Sequence, residues 1–373
     1  MSSIILERII ATNYKSFRTL DLPIKQVNVL IGANGAGKSN IQRLFGMIKS
    51  IVNQEFQAYI DKSNGSGAIL HYGHMKSDLI NITIWFKHDN NLSSAYHCKL
   101  VPAEKSMKLV NETIYVRDSS KFSDPIVYCE HDNITTESHL PHWANISDIP
   151  RQILDAIRSW HIYNFNDSSA LARAKQPCNL DDNLCLAPDA SNLPAYLDML
   201  RNKYPKNYDS IVQTIRMVNP SFSDFFLRRH PFIFNHVELM WKENNTDFIF
   251  NANMLSDNML RFIFLTTLFL QPREMLPSLI VLDNADLGLH PYAIVLLAEM
   301  IHSVTVTDRT KVVLSTQSAT LIDQFEHEDI LLVELDHGIS MIRRIDQNKI
   351  VPWLAEYSLG ELWQKNVLEA LAI

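Results

Sequence analysis

The residues best suited to chemistry form a glycine-rich loop that follows a short apolar run. The run is VNVLI, residues 27–31, and Gly32 to Ser39 then fit the spacing G-x-x-x-x-G-K-[ST] at every fixed position. Glycines permit backbone angles that a Cβ forbids, so successive N–H groups can turn inward and face phosphate oxygens. Lys38 can reach the β- and γ-phosphates, and the Ser39 hydroxyl can ligate Mg²⁺. The spacing therefore predicts a site for ATP and Mg²⁺.

A helix is predicted directly after this loop, over residues 38–50. Its positive N-terminal end would lie under the same phosphates. The strand before and the helix after the loop disfavour the alternative, a chance glycine-rich turn. We expect the loop and the start of the helix to bind the nucleotide through Asn34, Gly35, Ala36, Gly37, Lys38, Ser39 and Asn40.

A carboxylate at the end of a second apolar run is the other candidate for metal binding. The run LIVL, residues 279–282, precedes Asp283. A lone aspartate after an apolar strand is common, but together with the phosphate loop it predicts a Mg²⁺ ligand opposite Ser39, acting through water. The predicted metal site is therefore Ser39 and Asp283.

Composition and charge limit the partners that the chain can have. The 373 residues are 46% hydrophobic and 20% charged, as in an ordinary globular protein. The formal net charge of −7 gives no overall electrostatic footprint for nucleic acid, so a DNA contact would need a local basic patch. Arg228, Arg229 and His230 form a candidate patch, for which a solvated helix end is the alternative interpretation.

Cysteine spacing and hydropathy predict the compartment. The four cysteines lack C-x-x-C spacing, so we expect reduced thiols and a cytoplasmic location. No run approaches 18 apolar residues, and the N-terminus has neither a basic lead nor a small-residue cleavage site. Neither a membrane span nor a signal peptide is predicted.

Residue patterns predict an α/β fold around these candidates. Alternating or β-branched runs predict a mainly antiparallel sheet from strands at 80–86, 95–101, 113–116 and 126–130. Helical stretches are predicted at 149–160, 193–216 and 255–270, with a short strand at 160–165. Further strands are expected at 235–242, 247–251, 279–283, 311–316, 330–334 and 340–345.

The segment NYKSFR, residues 13–18, resembles an element of the RecF, SMC and OLD group of ABC-type ATPases. Those proteins begin with a strand, an N-(F/Y)-(R/K)-S-F element and the phosphate loop. The resemblance implies that Lys15 and Ser16 lie beside the nucleotide. A solvated turn between two edge strands is the alternative for this segment.

Later motifs resemble the stand-alone RecF-like or SMC-like "AAA family" ATPases of bacteria over nearly the whole chain. They are LSDNMLRF at 255–262, DNADLGLHP at 283–291, TQS at 316–318 and WLAEYSLGELW at 353–363. The family patterns are LSDGTLRF, IDEPELGLHP and THS. The first is the ABC signature, which reaches a partner's nucleotide across a dimer interface. The resemblance thus implies that Ser256, Asp257 and Asn258 bind nucleotide in a head-to-tail dimer or higher oligomer.

The chain departs from the family at positions that carry the chemistry. Asn258 and Met259 replace Gly-Thr of the signature, Asn284 replaces the catalytic glutamate, and Gln317 replaces the switch histidine. Asn284 can hydrogen-bond a water but cannot take its proton, and a positioned general base typically contributes about 10²- to 10⁴-fold. Gln317 can still donate to a γ-phosphate, and Asn258 either crowds the partner's nucleotide or supplies a donor. We expect ATP binding with weak or lost hydrolysis; neutral drift in a slow ATPase is the alternative.

Two spacings indicate a head without extra domains. Ser39 and Ser256 are 217 residues apart, too close to hold the long coiled-coil arms of SMC proteins. The chain ends shortly after its core, where we expect no room for the Toprim domain of OLD proteins. Residues 333–336, VELD, superficially resemble the acidic start of a Toprim strand, but we assign them to the last core strands. A nuclease or toxin effector would then be a separate polypeptide.

The expected fold is an ABC-type ATPase head with a mixed sheet and an inserted helical lobe. Residues 1–145 and 235–350 form the predicted nucleotide-binding lobe, 146–234 the helical lobe and 351–373 a helical tail. The predicted function is a nucleotide-controlled sensor or scaffold in bacterial antiphage defence. The alternative is an actively hydrolysing, RecF-type DNA-processing ATPase; a metabolic P-loop kinase is disfavoured because it would have no use for a signature helix.

Overall fold

The computed structural model describes residues 4–73, 77–88, 92–104, 106–118, 124–164, 172–306 and 309–368. Three β-sheets organise these residues, and helices pack between and against the sheets. The α/β class predicted from the sequence is confirmed. Residue 165 of the predicted strand and residues 369–373 of the predicted tail lie outside the described residues.

The first sheet is antiparallel and belongs to the N-terminal part of the chain. Its strands are β1 (Ile5–Tyr14), β2 (Phe17–Pro23), β4 (Ile80–Lys87), β5 (Leu92–Ala103), β6 (Ser106–Asp118) and β7 (Ile126–His131). They lie in the order β2-β1-β4-β5-β6-β7. Buried and partly exposed side chains alternate along β4, so one face of the sheet covers the core.

The second sheet carries the candidate phosphate loop. Its strands are β3 (Val27–Ile31), β8 (Trp160–Asn164), β13 (Leu279–Asp283), β14 (Lys311–Ser315), β15 (Ile330–Asp336) and β16 (Ile339–Arg344). The order is β16-β15-β3-β14-β13-β8, and every pairing except that of β15 with β16 is parallel. All residues of β3, β13 and β14 are buried, which explains their continuous apolar sequences.

A third, smaller sheet lies within the stretch predicted to be a helical lobe and just after it. Its strands are β9 (Cys178–Asn179), β10 (Phe222–Arg229), β11 (His236–Glu243) and β12 (Ile249–Asn251). β11 is central and pairs antiparallel with the other three.

The helices fill the space between the sheets. They are α1 (Lys38–Val52), α2 (Phe56–Lys62), α3 (Leu140–Ala144), α4 (Asp148–Arg158), α5 (Leu193–Lys203), α6 (Pro205–Val218), α7 (Asp257–Leu270), α8 (Pro291–Thr305), α9 (Ala319–Ile322), α10 (Gln347–Leu354) and α11 (Leu359–Gln364). Within the described ranges, no helix is both long and apolar enough to cross a membrane.

The parallel sheet separates two hydrophobic cores. Successive residues of β3 face opposite sides: Leu30 joins the core with α1, α4 and the antiparallel sheet, whereas Val29 and Ile31 join the core with α5 to α8. This alternation follows from the two-residue period of a strand. Both faces are therefore covered, as a parallel sheet requires.

The inserted region, residues 146–234, contains more strand than the sequence indicated. β8 is an edge strand of the parallel sheet, and β10, which was not predicted, pairs with β11. The predicted helical stretch 193–216 is two helices, because Pro205 lacks the N–H of an interior helical residue and begins α6 instead. The division into lobes stays a prediction.

The interpretation of the basic cluster as a helix end is wrong. Arg228 and Arg229 end strand β10, and each forms an ion pair, Arg228 with Glu238 and Arg229 with Asp198. Pairing across the hairpin and with α5 explains the placement: alternate side chains of a strand lie beside those of its neighbour. Glu238 offsets the charge of Arg228, whereas Asp198 is shared between Arg229 and Arg201 and offsets only part of their charge.

Candidate functional site

The phosphate loop has the backbone that its glycines permit. Gly35 and Gly37 have φ values of +82° and +117°, in the region that favours glycine. At Gly32 a Cβ would lie 2.1 Å from the carbonyl oxygen of Val333 on β15, so a close approach also requires glycine there. Helix α1 begins at Lys38, the residue at which the sequence places it.

The Lys38 side chain folds back over the loop. Its Nζ donates hydrogen bonds to the carbonyl oxygens of Gly32, at 2.6 Å, and Ala33, at 3.0 Å. Burial lowers the pKa of Lys38, and the nearby Asp283 carboxylate acts in the opposite direction. A cation held beside the loop is suited to bind phosphate oxygens.

A cavity of about 160 Å³ joins the loop to two distant segments. One ordered water needs only roughly 10–15 Å³, so the cavity has room for a phosphate-sized group. Its lining residues are Asn34, Gly35, Gly37, Lys38, Ser39, Asn40, Asn284 and Gln317. The fold thus brings together the phosphate loop with Asn284 and Gln317, which the resemblance assigned to catalytic positions of the family.

A larger surface groove lies elsewhere and lacks this chemistry. It measures about 640 Å³ and lies on the antiparallel sheet, where Trp85 and Arg117 are among its lining residues. Neither a glycine-rich loop nor a helix N-terminus contributes to that lining. The smaller cavity is therefore the candidate functional site.

Asp283 lies beside the loop at the end of β13. It is 2% exposed, and the Ser315 hydroxyl donates to its Oδ1 at 2.5 Å. The Asn284 N–H donates to the same hydroxyl oxygen at 3.0 Å. Carboxylate and hydroxyl oxygens are ligands that Mg²⁺ prefers, so Asp283 and Ser39 fit the predicted role of holding Mg²⁺.

Asn284 and Gln317 both carry side-chain amides and line the cavity. Gln317 Nε2 donates a hydrogen bond to Asn34 Oδ1 of the loop. Asn284 has φ of +52°, a left-handed conformation that asparagine tolerates better than most residues. Among the described residues that line the cavity, none carries a carboxylate.

Asp286, two residues after Asn284, is a partly buried acid that the sequence analysis did not single out. Burial raises the pKa of its carboxyl group, and a hydrogen bond from the Thr316 side chain and the charge of Arg261 oppose this rise. Arg261 also donates to the carbonyl oxygen of Leu287. Asp286 therefore links helix α7 to the segment after β14. In the sequence, the feature that could have indicated Asp286 is its position two residues after Asn284, within the motif at 283–291.

Lys15 and Ser16 lie behind the loop, and neither lines the cavity. Lys15 Nζ donates to the carbonyl oxygen of Ala68 at 3.0 Å. Burial and the neighbouring Arg43 lower the pKa of Lys15. Ser16 Oγ accepts a hydrogen bond from Asn40 Nδ2 at 2.8 Å, so it contacts the start of α1.

The segment assigned to the signature lies at the N-terminus of α7, and Ser256, Asp257 and Asn258 are not among the residues that line the cavity. Ser256 is the N-cap and accepts from the Met259 N–H at 3.2 Å. Asp257 forms an ion pair with Lys175 at 2.8 Å. A Cβ on Gly288 would lie 2.3 Å from Asn258 Oδ1, so the Asn258 amide packs against this glycine of the same chain. Contact of these three residues with a partner's nucleotide stays a prediction.

Two family models match the chain, each over more than half of its length. One is described as "AAA ATPase domain" and matches residues 5–210. The other is described as "AAA domain, putative AbiEii toxin, Type IV TA system" and matches residues 117–323. No curated protein matches the chain.

Solved structures of SMC head domains share the fold. An Smc head bound to the C-terminal winged-helix domain of ScpA aligns with a TM-score of 0.60 and 13% identity, over 93% of this chain and 99% of that one. A head with an extended coiled coil bound to the C-terminal domain of ScpA, from Pyrococcus furiosus, aligns with a TM-score of 0.56 and 13% identity, over 95% and 99% of the two chains. The Smc head domain with a coiled coil and joint from Pyrococcus yayanosii aligns with a TM-score of 0.54 and 11% identity, over 95% of this chain and 99% of that one.

Proposed function

Because this chain belongs to the AAA ATPase domain family and is a RecF- and SMC-like ABC-type ATPase, we propose that it binds ATP and Mg²⁺ as a nucleotide-controlled sensor or scaffold in bacterial antiphage defence. Gly35, Gly37 and Lys38 would hold the phosphates, and Ser39 and Asp283 the metal. The bound Mg²⁺ would neutralise phosphate charge.

The single observation that carries the proposal is the amide lining of the cavity opposite the phosphate loop. Asn284 and Gln317 lie where they can hydrogen-bond a water or a phosphate oxygen, but neither accepts a proton at neutral pH. The binding residues are present and the general base is replaced. ATP is therefore held for long times and cleaved weakly or not at all.

ATP would then act by bringing two copies together. The N-terminus of α7 carries Ser256, Asp257 and Asn258, apart from the residues that line the chain's own cavity. In a head-to-tail dimer these residues face the partner's phosphate loop, so nucleotide is shared between the copies. A ligand that the dimer binds more tightly than the monomer shifts the equilibrium toward the dimer by mass action.

The proposed effector is a separate polypeptide. The solved SMC heads of this fold include two bound to a domain of another protein, ScpA, which supports a head that holds a partner. The description of one matching family names the AbiEii toxin of a type IV toxin–antitoxin system, which supports a role in defence.

The DNA-processing alternative loses its main support. The ion pairs of Arg228 with Glu238 and of Arg229 with Asp198 reduce the positive charge available to phosphates.

The proposal is tested by single-turnover cleavage of radiolabelled ATP, with bound nucleotide quantified in the same samples. Wild type is compared with Asn284→Asp and Asn284→Glu. The aspartate is nearly isosteric and tolerates the left-handed backbone, whereas the glutamate restores the family residue at the cost of strain there. We expect tight binding without cleavage in wild type and at least a tenfold faster cleavage in one of the carboxylate variants.

The control is Lys38→Ala, which should abolish both binding and any cleavage. Rapid cleavage by the wild-type protein that is lost in Lys38→Ala would contradict the locked scaffold and establish an active ATPase. Failure of the wild-type protein to bind ATP would contradict the proposal altogether.

A further inference from the structure

A serine from the far end of the chain lies directly beneath the phosphate loop. Ser340 is the second residue of β16, at the edge of the parallel sheet, and its side chain is completely buried. It is absent from the cavity lining, so it acts on the loop from behind. A buried hydroxyl group normally has a hydrogen-bond partner, so the partner of Ser340 indicates which part of the fold it supports.

Ser340 makes two hydrogen bonds, and both lead to the nucleotide site. Its hydroxyl donates to the carbonyl oxygen of Ala36 at 2.6 Å. Its backbone N–H donates to the carbonyl oxygen of Ser16 at 2.7 Å. Ser16 in turn accepts from Asn40 in the first turn of α1. The two serines therefore connect β16, the loop and the helix that follows it.

The hydroxyl groups of Ser340 and Ser16 also lie close to Gly37. A Cβ built on Gly37 would lie 2.5 Å from Ser340 Oγ and 3.0 Å from Ser16 Oγ. The left-handed φ of Gly37, +117°, already requires glycine. The two serines thus occupy the space that a side chain would use, on the side of the loop away from the cavity.

The bond to Ala36 fixes the direction of the next N–H group. In a planar trans peptide the carbonyl of Ala36 and the N–H of Gly37 point in opposite directions. Because Ser340 holds the carbonyl on its own side, the Gly37 N–H points away from Ser340. That orientation suits a loop whose N–H groups face an anion.

We propose that Ser340 is a positioning residue for nucleotide binding, which holds the Ala36–Gly37 peptide in its phosphate-binding orientation before ATP arrives. Ser16 assists by holding the backbone of Ser340 and the side chain of Asn40. The inference rests on the proposed ATP site and names a residue of that site which no sequence motif contains. Preorganisation of this kind raises affinity because less ordering remains for the binding step.

The test compares Ser340→Ala with Ser50→Ala. Ser50 is a buried serine whose hydroxyl also donates to a backbone carbonyl, that of Met47, but it lies in the last turn of α1. Isothermal titration calorimetry with ATP·Mg²⁺ should give a three- to tenfold weaker affinity for Ser340→Ala than for wild type. A change of this size corresponds to the net contribution of about one hydrogen bond. Ser50→Ala should bind as wild type, although both variants lower the melting temperature.

Hydrogen exchange of the nucleotide-free proteins provides the second readout. The amides of residues 36–40 should exchange faster in Ser340→Ala than in wild type and Ser50→Ala, whether or not ATP binds. Unchanged affinity together with unchanged exchange in Ser340→Ala would overturn the inference. If wild type shows no ATP binding while loop exchange still rises in Ser340→Ala, the proposed function fails and the support of the loop by Ser340 stands.

Ser16→Ala keeps the inference testable if Ser340→Ala does not fold. It removes the acceptor of Asn40 and one of the two hydroxyls behind Gly37. A weaker ATP affinity, by at least threefold relative to Ser50→Ala, is expected. Equal affinity of Ser16→Ala and wild type would count against the proposed support from behind the loop.

Discussion

At the scale of single residues, Asn258 makes a contact within its own chain. The resemblance aligned Asn258 with a glycine of the family's signature, and in the structure its amide packs against Gly288, in the loop after β13. The sequence left two roles open for this amide, crowding a partner's nucleotide or supplying a donor. The structure adds a third, because the side chain couples α7 to the segment that follows β13.

Gly288→Ala tests this coupling. The new Cβ would lie 2.3 Å from Asn258 Oδ1, and φ of +74° is unfavourable for alanine. We expect a loss of about 2–4 kcal/mol in the free energy of unfolding, from strain and overpacking together. Urea unfolding followed by circular dichroism measures it.

The control is the double variant Gly288→Ala with Asn258→Ala. Removal of the amide relieves the clash but leaves the backbone strain, so about 1 kcal/mol or more should be regained relative to the sum of the single changes. Strict additivity of the two substitutions would show that Asn258 and Gly288 do not interact.

At the scale of elements, strand β8 is held to helix α1 by side chains of the helix. Gln42 Nε2 donates to the carbonyl oxygen of Tyr163 at 2.6 Å, and Lys49 Nζ donates to that of Trp160. These bonds satisfy carbonyl groups of an edge strand. They join the helix that starts at the phosphate loop to the outermost strand of the parallel sheet.

His161, in strand β8, makes the stability of the protein depend on pH. Burial, together with the nearby Lys49 ammonium, lowers the pKa of His161 to about 4, from a usual value of 6.5. The unfolded chain therefore gains a proton below about pH 6.5, while the folded protein stays neutral at this residue until about pH 4. The contribution of His161 to the free energy of unfolding is therefore fully present above pH 6.5, and it is lost as the pH falls from about 6.5 to about 4. We expect the free energy of unfolding to be about 2 kcal/mol lower at pH 5 than at pH 7 from this residue.

Urea unfolding at the two pH values measures the effect, with His161→Gln as the variant that lacks the titrating group. Its stability should change less between pH 7 and pH 5 than that of wild type. His337→Gln is the matched control, a substitution at a histidine whose side chain is 95% exposed. Identical pH dependence in wild type and His161→Gln would show that His161 does not titrate as expected.

At the scale of the whole molecule, the parallel sheet divides two cores, and the proposed site uses both sides. The core with α1 supports the phosphate loop, whereas the core with α7 and α8 supports the signature end of α7. A second copy of the chain would bring the signature of one molecule to the loop of the other. In the proposed assembly, the shared nucleotide would join the two copies.

Ser256→Asp separates ATP binding from assembly. Aspartate is as good an N-cap as serine, so α7 should keep its start, but the new carboxylate would repel the partner's triphosphate. We expect ATP·Mg²⁺ to convert wild type to a dimer, and Ser256→Asp to remain monomeric while it still binds ATP at its own phosphate loop, with a weaker apparent affinity because dimerisation no longer contributes. Light scattering coupled to size exclusion, with and without ATP·Mg²⁺, measures the mass.

Ser358→Asp is the matched control. Ser358 is likewise an N-cap, at the start of α11, and accepts from the Glu361 N–H at 3.2 Å. This variant should dimerise with ATP like wild type. Dimerisation of Ser256→Asp to the wild-type extent would remove the signature end of α7 from the proposed interface.

The sequence by itself determined the features that depend on neighbouring residues. The phosphate loop, the start of α1 at Lys38 and the buried strands β3 and β13 follow from glycine positions and continuous apolar runs. Each of these signals is local, because the side chains that set the backbone lie within a few residues of it. The same holds for the absence of a carboxylate at position 284, which is a property of one residue.

Only the tertiary structure decided which distant segments share a site. Gln317 contacts Asn34, Ser340 supports Ala36 and Asn258 packs on Gly288, and no spacing in the sequence encodes these pairs. The same reason explains why β10 was missed and β8 was not placed in the parallel sheet, since pairing with a partner strand, rather than intrinsic preference, stabilises a short strand. Contacts between segments far apart in the chain depend on packing of the whole fold, which a local pattern does not contain.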